Sequence, residues 1–175
     1  MKGLYVLISI LLGAFLVGCT EKEKAPVKDE ETSSPIEQSE DPNKLNYELL
    51  IHLEFIPHEV GSSMTLIQDE KLYQIWAEIF QLEDTPVIDF ATEEVLFITE
   101  YSNGCGLVFD SLTQQEDTLY AKLDFPEEIR KQETKACEDI AKPHSFVIKL
   151  KKTGATKGTL EDPYEIRLEN INIIL

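Results

Sequence analysis

Six apolar runs between Tyr47 and Leu175 constrain this chain to a fold built mainly of β-strands. In the first, Tyr47, Leu49, Ile51, Leu53 and Phe55 alternate with Glu48, Leu50, His52 and Glu54. That period of two belongs to a half-buried strand, and Pro57 and Gly61 end it. The later runs are Glu94–Glu100, Cys105–Gln114, Thr118–Phe125, His144–Lys151 and Tyr164–Leu175. Asn103-Gly104, which readily takes positive φ, and Gln115-Glu116-Asp117 supply turns, while Gly154 and Gly158 mark Thr153–Pro163 as a hairpin loop. One segment has a different period. Leu72, Ile75, Trp76, Ile79 and Phe80 recur at helical spacing, which predicts an amphipathic helix over Asp69–Leu82 that buries this stripe. Gln68 or Asp69 caps it and Asp84-Thr85-Pro86 stops it. The expected domain, residues 47–175, is therefore mainly β (α+β). It is an antiparallel β-sandwich or half-barrel of about six strands with one amphipathic helix.

The N-terminus reads as an address rather than as structure. Lys2 is followed by a charge-free apolar run from Leu4 to Val17, too short for a spanning helix of roughly 20 residues. Leu16-Val17-Gly18-Cys19 resembles the lipobox of bacterial lipoproteins, with a small residue directly before the cysteine. The resemblance implies cleavage after residue 18, removal of 1–18 as a signal peptide, and lipidation of Cys19. Two acyl chains anchor a protein stably at about 0.8 kcal/mol per buried methylene. The expected location is the cell membrane, lipid-anchored on its extracytoplasmic face. Residues 19–46 are rich in Glu, Lys, Ser and Pro with no apolar period, so they read as a disordered acidic tether. Its reach as a flexible coil is about 30 Å.

Charge removes one class of partner. Asp and Glu number 33 against 16 Lys and Arg, a formal net charge of −17, which opposes nucleic-acid phosphates and a polybasic membrane contact alike. The three cysteines divide between two tasks. With Cys19 given to lipid, Cys105 and Cys137 remain as a pair in an oxidising compartment, where a structural disulfide is expected. They form no Cys-x-x-Cys motif and no four-ligand zinc spacing.

Candidate chemistry is sparse. His52, His58 and His144 show no metal-binding spacing, so no metal or other cofactor is expected and all three are read as solvent-facing. Ser145 follows His144, but neighbours on a strand point to opposite faces and cannot meet. Glu93-Glu94 and Glu127-Glu128 read as surface charge pairs. Asp89, acidic among Val87, Ile88 and Phe90, is expected to cap a turn. Asp89, Glu94 and His144 are the only trio from which a hydrolase could be assembled, so no catalytic residue is assigned. A partner could dock on an exposed part of the Trp76 stripe, or on an open strand edge at Phe146–Lys149 or Ile166–Leu175.

The helix Asp69–Leu82, Pro86-Val87-Ile88-Asp89-Phe90, the strand Glu94–Thr99, the Asn103-Gly104-Cys105-Gly106 turn and the strand entered at Pro143-His144-Ser145 together resemble the PrcB-like domain family. That family is named for a protease-complex-stabilising lipoprotein, and the resemblance spans roughly Thr65 to Lys152. Where many relatives carry Gly-Gly-Tyr, this chain has Gly104-Cys105-Gly106-Leu107. The resemblance implies a small β-rich, non-enzymatic domain that holds or stabilises a partner protein. The expected function is thus a membrane-anchored, non-catalytic protein-binding or stabilising module of the cell envelope. The alternatives are a small-ligand- or ion-binding lipoprotein and, behind it, an envelope hydrolase.

Overall fold

The structure, a computed structural model, describes residues 42–134, 136–164, 167–169 and 171–174. The expected signal peptide, Cys19 and the expected tether as far as residue 41 lie outside the described residues. The elements run β1 (Tyr47–Leu53), β2 (Ser63–Ile67), α1 (Glu70–Ile79), β3 (Glu93–Ser102), β4 (Val108–Gln115), β5 (Thr118–Asp124), α2 (Glu127–Arg130), β6 (Lys142–Lys151), β7 (Lys157–Glu161), β8 (Arg167–Glu169) and β9 (Ile171–Ile174). A five-stranded sheet in the order β1-β6-β3-β2-β9 faces a four-stranded sheet in the order β4-β5-β7-β8. The fold is mainly β, a two-sheet sandwich with little helix and no closed barrel.

Two apolar layers hold it together. Between the sheets pack Leu96 and Ile98 of β3, Phe146 and Ile148 of β6, Leu112 of β4, and Leu119 and Leu123 of β5. On the other face of the large sheet, Val95, Phe97 and Val147 meet Tyr73 of α1 and Phe80 at its C-terminal end. β3 is thus covered on both faces, which is why Val95-Leu96-Phe97-Ile98 is continuously apolar and fully buried.

Several expectations change. Leu49 pairs with Ile148 but Ile51 pairs with Val147, so a bulge at Leu50 flips the strand. Tyr47 and Leu49 therefore share the sandwich face, whereas Ile51 and Leu53 pack beneath α1. β2 and β7 were not among the expected strands, and both form parallel pairs, β2 with β9 and β5 with β7, so the sandwich is not purely antiparallel. Asn43–Leu45, assigned to the tether, are hydrogen-bonded to β4: Leu45 N–H donates to Leu112 O at 2.9 Å and Gln114 N–H to Asn43 O at 3.0 Å. The chain therefore leaves the edge of one sheet to begin the other.

α1 starts as expected, with the Asp69 carboxylate accepting from Leu72 N at 3.1 Å. It stops earlier than expected. Gln81 takes φ 54°, and Leu82 N–H donates to Ala77 O while Gln81 N–H donates to Glu78 O. Those two bonds make a Schellman closure one turn before Asp84. The buried stripe is Tyr73, Ala77 and Phe80, with Trp76 stacked beside Phe80, while Ile75 and Ile79 are exposed at 43% and 40%. Proximity to the sheet places the stripe one position away from the sequence reading.

Candidate functional site

Among the described residues, His52, His144, Cys105 and Cys137, all singled out by sequence, gather at the end of β3. Tyr101-Ser102-Asn103-Gly104 leads out of the strand, and Cys105 is bridged to Cys137 with their Cα atoms 5.1 Å apart. Gly104 N–H donates to Glu138 O at 2.8 Å. The Asn103 side-chain carbonyl accepts from Cys105 N at 3.0 Å. Gly106, at φ 78°, carries the chain on toward β4. The bridge thus fastens the irregular segment 136–141 onto the turn.

Beneath the turn lies a chain of polar groups that the sequence did not suggest. Ser102 Oγ is 2.9 Å from His144 Nε2, and His144 Nδ1 is 3.1 Å from His52 Nε2. Ser102 Oγ also donates to Asn103 O at 2.7 Å. A hydroxyl has one proton, so His144 Nε2–H donates to Ser102 Oγ, and His52 Nε2–H donates to His144 Nδ1. His144 and Ser102 are buried, whereas His52 stays open to solvent along one side. Both rings lie nearly parallel to Phe146, and His52 stacks on it at 4.5 Å. The solvent-facing expectation is therefore corrected for His144; His58 sits in an exposed turn. His52 misses its expected polar face because the Leu50 bulge turns it to the sandwich side, opposite Phe146.

Burial lowers the pKa of both histidines, with the neighbouring His52 adding to the effect at His144; Glu54 opposes the shift at both, and Lys142 reinforces it at His144. A histidine whose folded pKa is depressed takes up protons more readily when unfolded, so stability falls as pH drops below about 6.5 and through the folded-state values. We expect the urea midpoint of the wild type to fall over that window and that of His52→Gln to fall less. Parallel profiles for the two proteins would exclude the histidine pair as the cause.

Beside this chain an open cleft of about 380 Å³ is lined by Ser102, Asn103, Asp139, Ile140, Ala141 and Tyr164. Ile140 and Tyr164 are exposed at 47% and 42%. Burial raises the Tyr164 pKa, against hydrogen bonding to Asn103, and Tyr164 packs edge-on against Phe125 at 5.4 Å. Ser102 escaped notice because its histidine is 42 residues away and meets it only through the β3–β6 register.

The other candidates disperse. Glu94 pairs with Leu150 and Glu100 with His144, so Glu94 and His144 are six residues apart along the ladder, about 20 Å. Asp89 caps its own turn, accepting from Ala91 N at 3.1 Å and from Thr92 Oγ1 at 2.9 Å. Glu93 and Glu94 point to opposite faces, Glu93 toward Lys149 at 3.7 Å. Glu127 pairs with Lys131 on the surface. Ser145, on the helix side, donates to Phe55 O. Strand β6, offered by sequence as an open edge, is central, whereas β8 and β9 do lie at sheet edges.

Glu94, rather than a surface charge, is a fully buried clamp. It accepts from Gln68 Nε2 at 2.7 Å, Thr153 N at 3.0 Å and Thr153 Oγ1 at 2.6 Å. Glu94→Ala strands those donors and is expected to cost about 2–4 kcal/mol. Glu94→Gln should cost about 1 kcal/mol, because the Gln68 amide can turn its oxygen to the new NH₂. Chemical denaturation of both variants checks this; equal losses would refute the clamp.

Among the described residues no buried side-chain polar atom lacks a partner, and no three His, Cys, Asp or Glu converge as a metal site. No described helix is long and apolar enough to cross a membrane. No protein family, curated protein or solved structure matches the chain.

Proposed function

We propose that this chain is a lipid-anchored, extracytoplasmic, non-catalytic module that binds or stabilises a protein partner through the cleft at the end of β3. The observation that carries this reading is the cleft's composition. Exposed Ile140 and Tyr164 flank Ser102, whose hydroxyl is already bonded to Asn103 O and His144, and Asn103, whose side-chain carbonyl already accepts from Cys105 N–H. Gly104 N–H is donated to Glu138 O, and Cys105 N–H and Gly106 N–H are donated to Asn103 within the turn, so none is free to stabilise an oxyanion. An apolar rim on a rigid, disulfide-pinned loop is suited to packing against another protein. The lipobox at Leu16–Cys19 and the resemblance to PrcB-like domains point the same way. The test is a photo-reactive side chain at position 140, activated in intact cells. Recovery of one membrane protein, lost when the probe is moved to exposed Val87, is expected. Recovery of the lone chain from both positions would count against the proposal.

A second reading rests on the Ser102–His144–His52 chain, whose order is that of nucleophile, base and orienting group. Hydrolysis would require the Ser102 hydroxyl to turn from Asn103 O to His144 Nε2 and both imidazoles to take the other tautomer, with the His144 proton on Nδ1 donated to His52 Nε2. Labelling by a fluorophosphonate, abolished in Ser102→Ala, would favour this reading; an unlabelled native protein would remove it.

A further inference from the structure

The turn contains a labile dipeptide held in a protected state. In Asn-Gly, the glycine amide nitrogen can attack the asparagine side-chain carbonyl with little steric hindrance. At Gly104 that nitrogen is occupied, since its N–H donates to Glu138 O at 2.8 Å. The Asn103 carbonyl is held too, by Cys105 N at 3.0 Å. Glycine is required here for packing, because a Cβ at 104 would lie 2.8 Å from Glu138 Cβ and 2.9 Å from Glu138 N. The fold therefore demands the residue that makes Asn103 reactive. Glu138, which guards it, belongs to a segment without helix or strand and follows directly on Cys137. Among the described residues, that segment is tied to the turn by the bridge and the Glu138 carbonyl, while Lys142 Nζ, from the start of β6, lies 3.5 Å from Gly104 O.

We infer that Asn103 is a disulfide-guarded deamidation site: the Cys105–Cys137 bridge keeps the Glu138 carbonyl on Gly104 N–H, and reduction releases it. The inference stands whether or not the cleft binds a partner. Cys105 is buried and Cys137 partly exposed, so a dithiol reductant attacks Cys137 Sγ and expels the Cys105 thiolate. The reductant's second thiol then displaces Cys137, leaving two protein thiols and an oxidised reductant. With Glu138 gone, the Gly104 nitrogen gives its proton to solvent base and bonds to Asn103 Cγ. The Cγ–Nδ2 bond breaks and ammonia departs, leaving a succinimide. Water opens the ring at either carbonyl to give aspartate or isoaspartate. Either product places a carboxylate beside Asp139 in the cleft, and isoaspartate also lengthens the main chain between 103 and 104. Reoxidation cannot restore the original turn, so the loop records its reduction irreversibly.

The full-length protein in detergent is incubated oxidised, or with a dithiol, and the Cys105→Ser/Cys137→Ser variant without reductant. Peptides spanning 101–107 are read by mass spectrometry for exchange of the amide NH₂ for OH. Amide exchange at Val95–Ile98 is read in the same samples. Conversion at least about tenfold faster in the reduced and variant proteins is expected, the factor that 1.4 kcal/mol of easier local opening represents. Protection of β3 should persist. Equal conversion with and without the bridge would overturn the inference. So would conversion seen only in samples whose β3 protection has collapsed, since that is ordinary unfolding.

Discussion

Replacing Phe97 with alanine is expected to remove about 3–5 kcal/mol of stability, the usual loss for a buried aromatic truncated in a core. Phe97 has no exposed surface and is the centre of the layer between the large sheet and α1. Its ring lies 5.0 Å from Phe80, 5.3 Å from Trp76 and 6.3 Å from Tyr73. Those three residues are the face by which α1 attaches, so the cavity cannot close without moving the helix. The neighbours of Phe97 along β3, Leu96 and Ile98, point to the opposite core and cannot fill the space. Denaturant unfolding should show a lower midpoint, with a thermal shift on the order of 10 °C or more. Phe97→Leu should recover a large part of the loss, since it returns most of the apolar volume. A loss below about 1 kcal/mol for the alanine variant would mean that α1 is not anchored through this ring.

That layer also shows what the sequence could convey. Val95–Ile98 is a continuous apolar run, and a strand covered on both faces is the simplest way to bury it. The helix was legible as a helix, but its orientation was not. Ile75 and Ile79 are the more apolar side chains, yet Tyr73 and Ala77 face the sheet, because only the packed sheet selects among stripes one position apart. Short strands were harder still. Lys157-Gly158-Thr159 reads as turn chemistry, but Gly158 lies opposite Leu119 in a parallel ladder formed with a distant strand. Parallel partners leave no local signal of the hairpin kind. The Leu50 bulge had the widest effect, because one extra residue moved His52 from the expected polar face to His144. Both histidines were visible as candidates. Their contact with each other and with Ser102 depended on register, which no single segment encodes.

The bridge supplies the other large effect. Cys137→Ala is expected to cost about 2–5 kcal/mol, the usual loss for a native bridge in a small secreted domain. The bridge spans 32 positions and encloses β4, β5 and α2, so without it the unfolded chain gains the freedom of a long loop. The native sheets lose no ladder hydrogen bond, because neither cysteine lies within a strand. Most of the penalty should therefore come from the unfolded state. The sign of that origin is measurable. The urea m-value should rise in Cys137→Ala, since an uncrosslinked unfolded chain exposes more surface. Reductant should lower the wild-type midpoint to that of the variant and leave the variant unmoved. Amide protection in β3 and β6 should fall only in step with global stability, while the turn at Asn103–Gly106 should open further than that. A wild type whose midpoint is indifferent to reductant would show that the bridge contributes nothing to the stability of this fold.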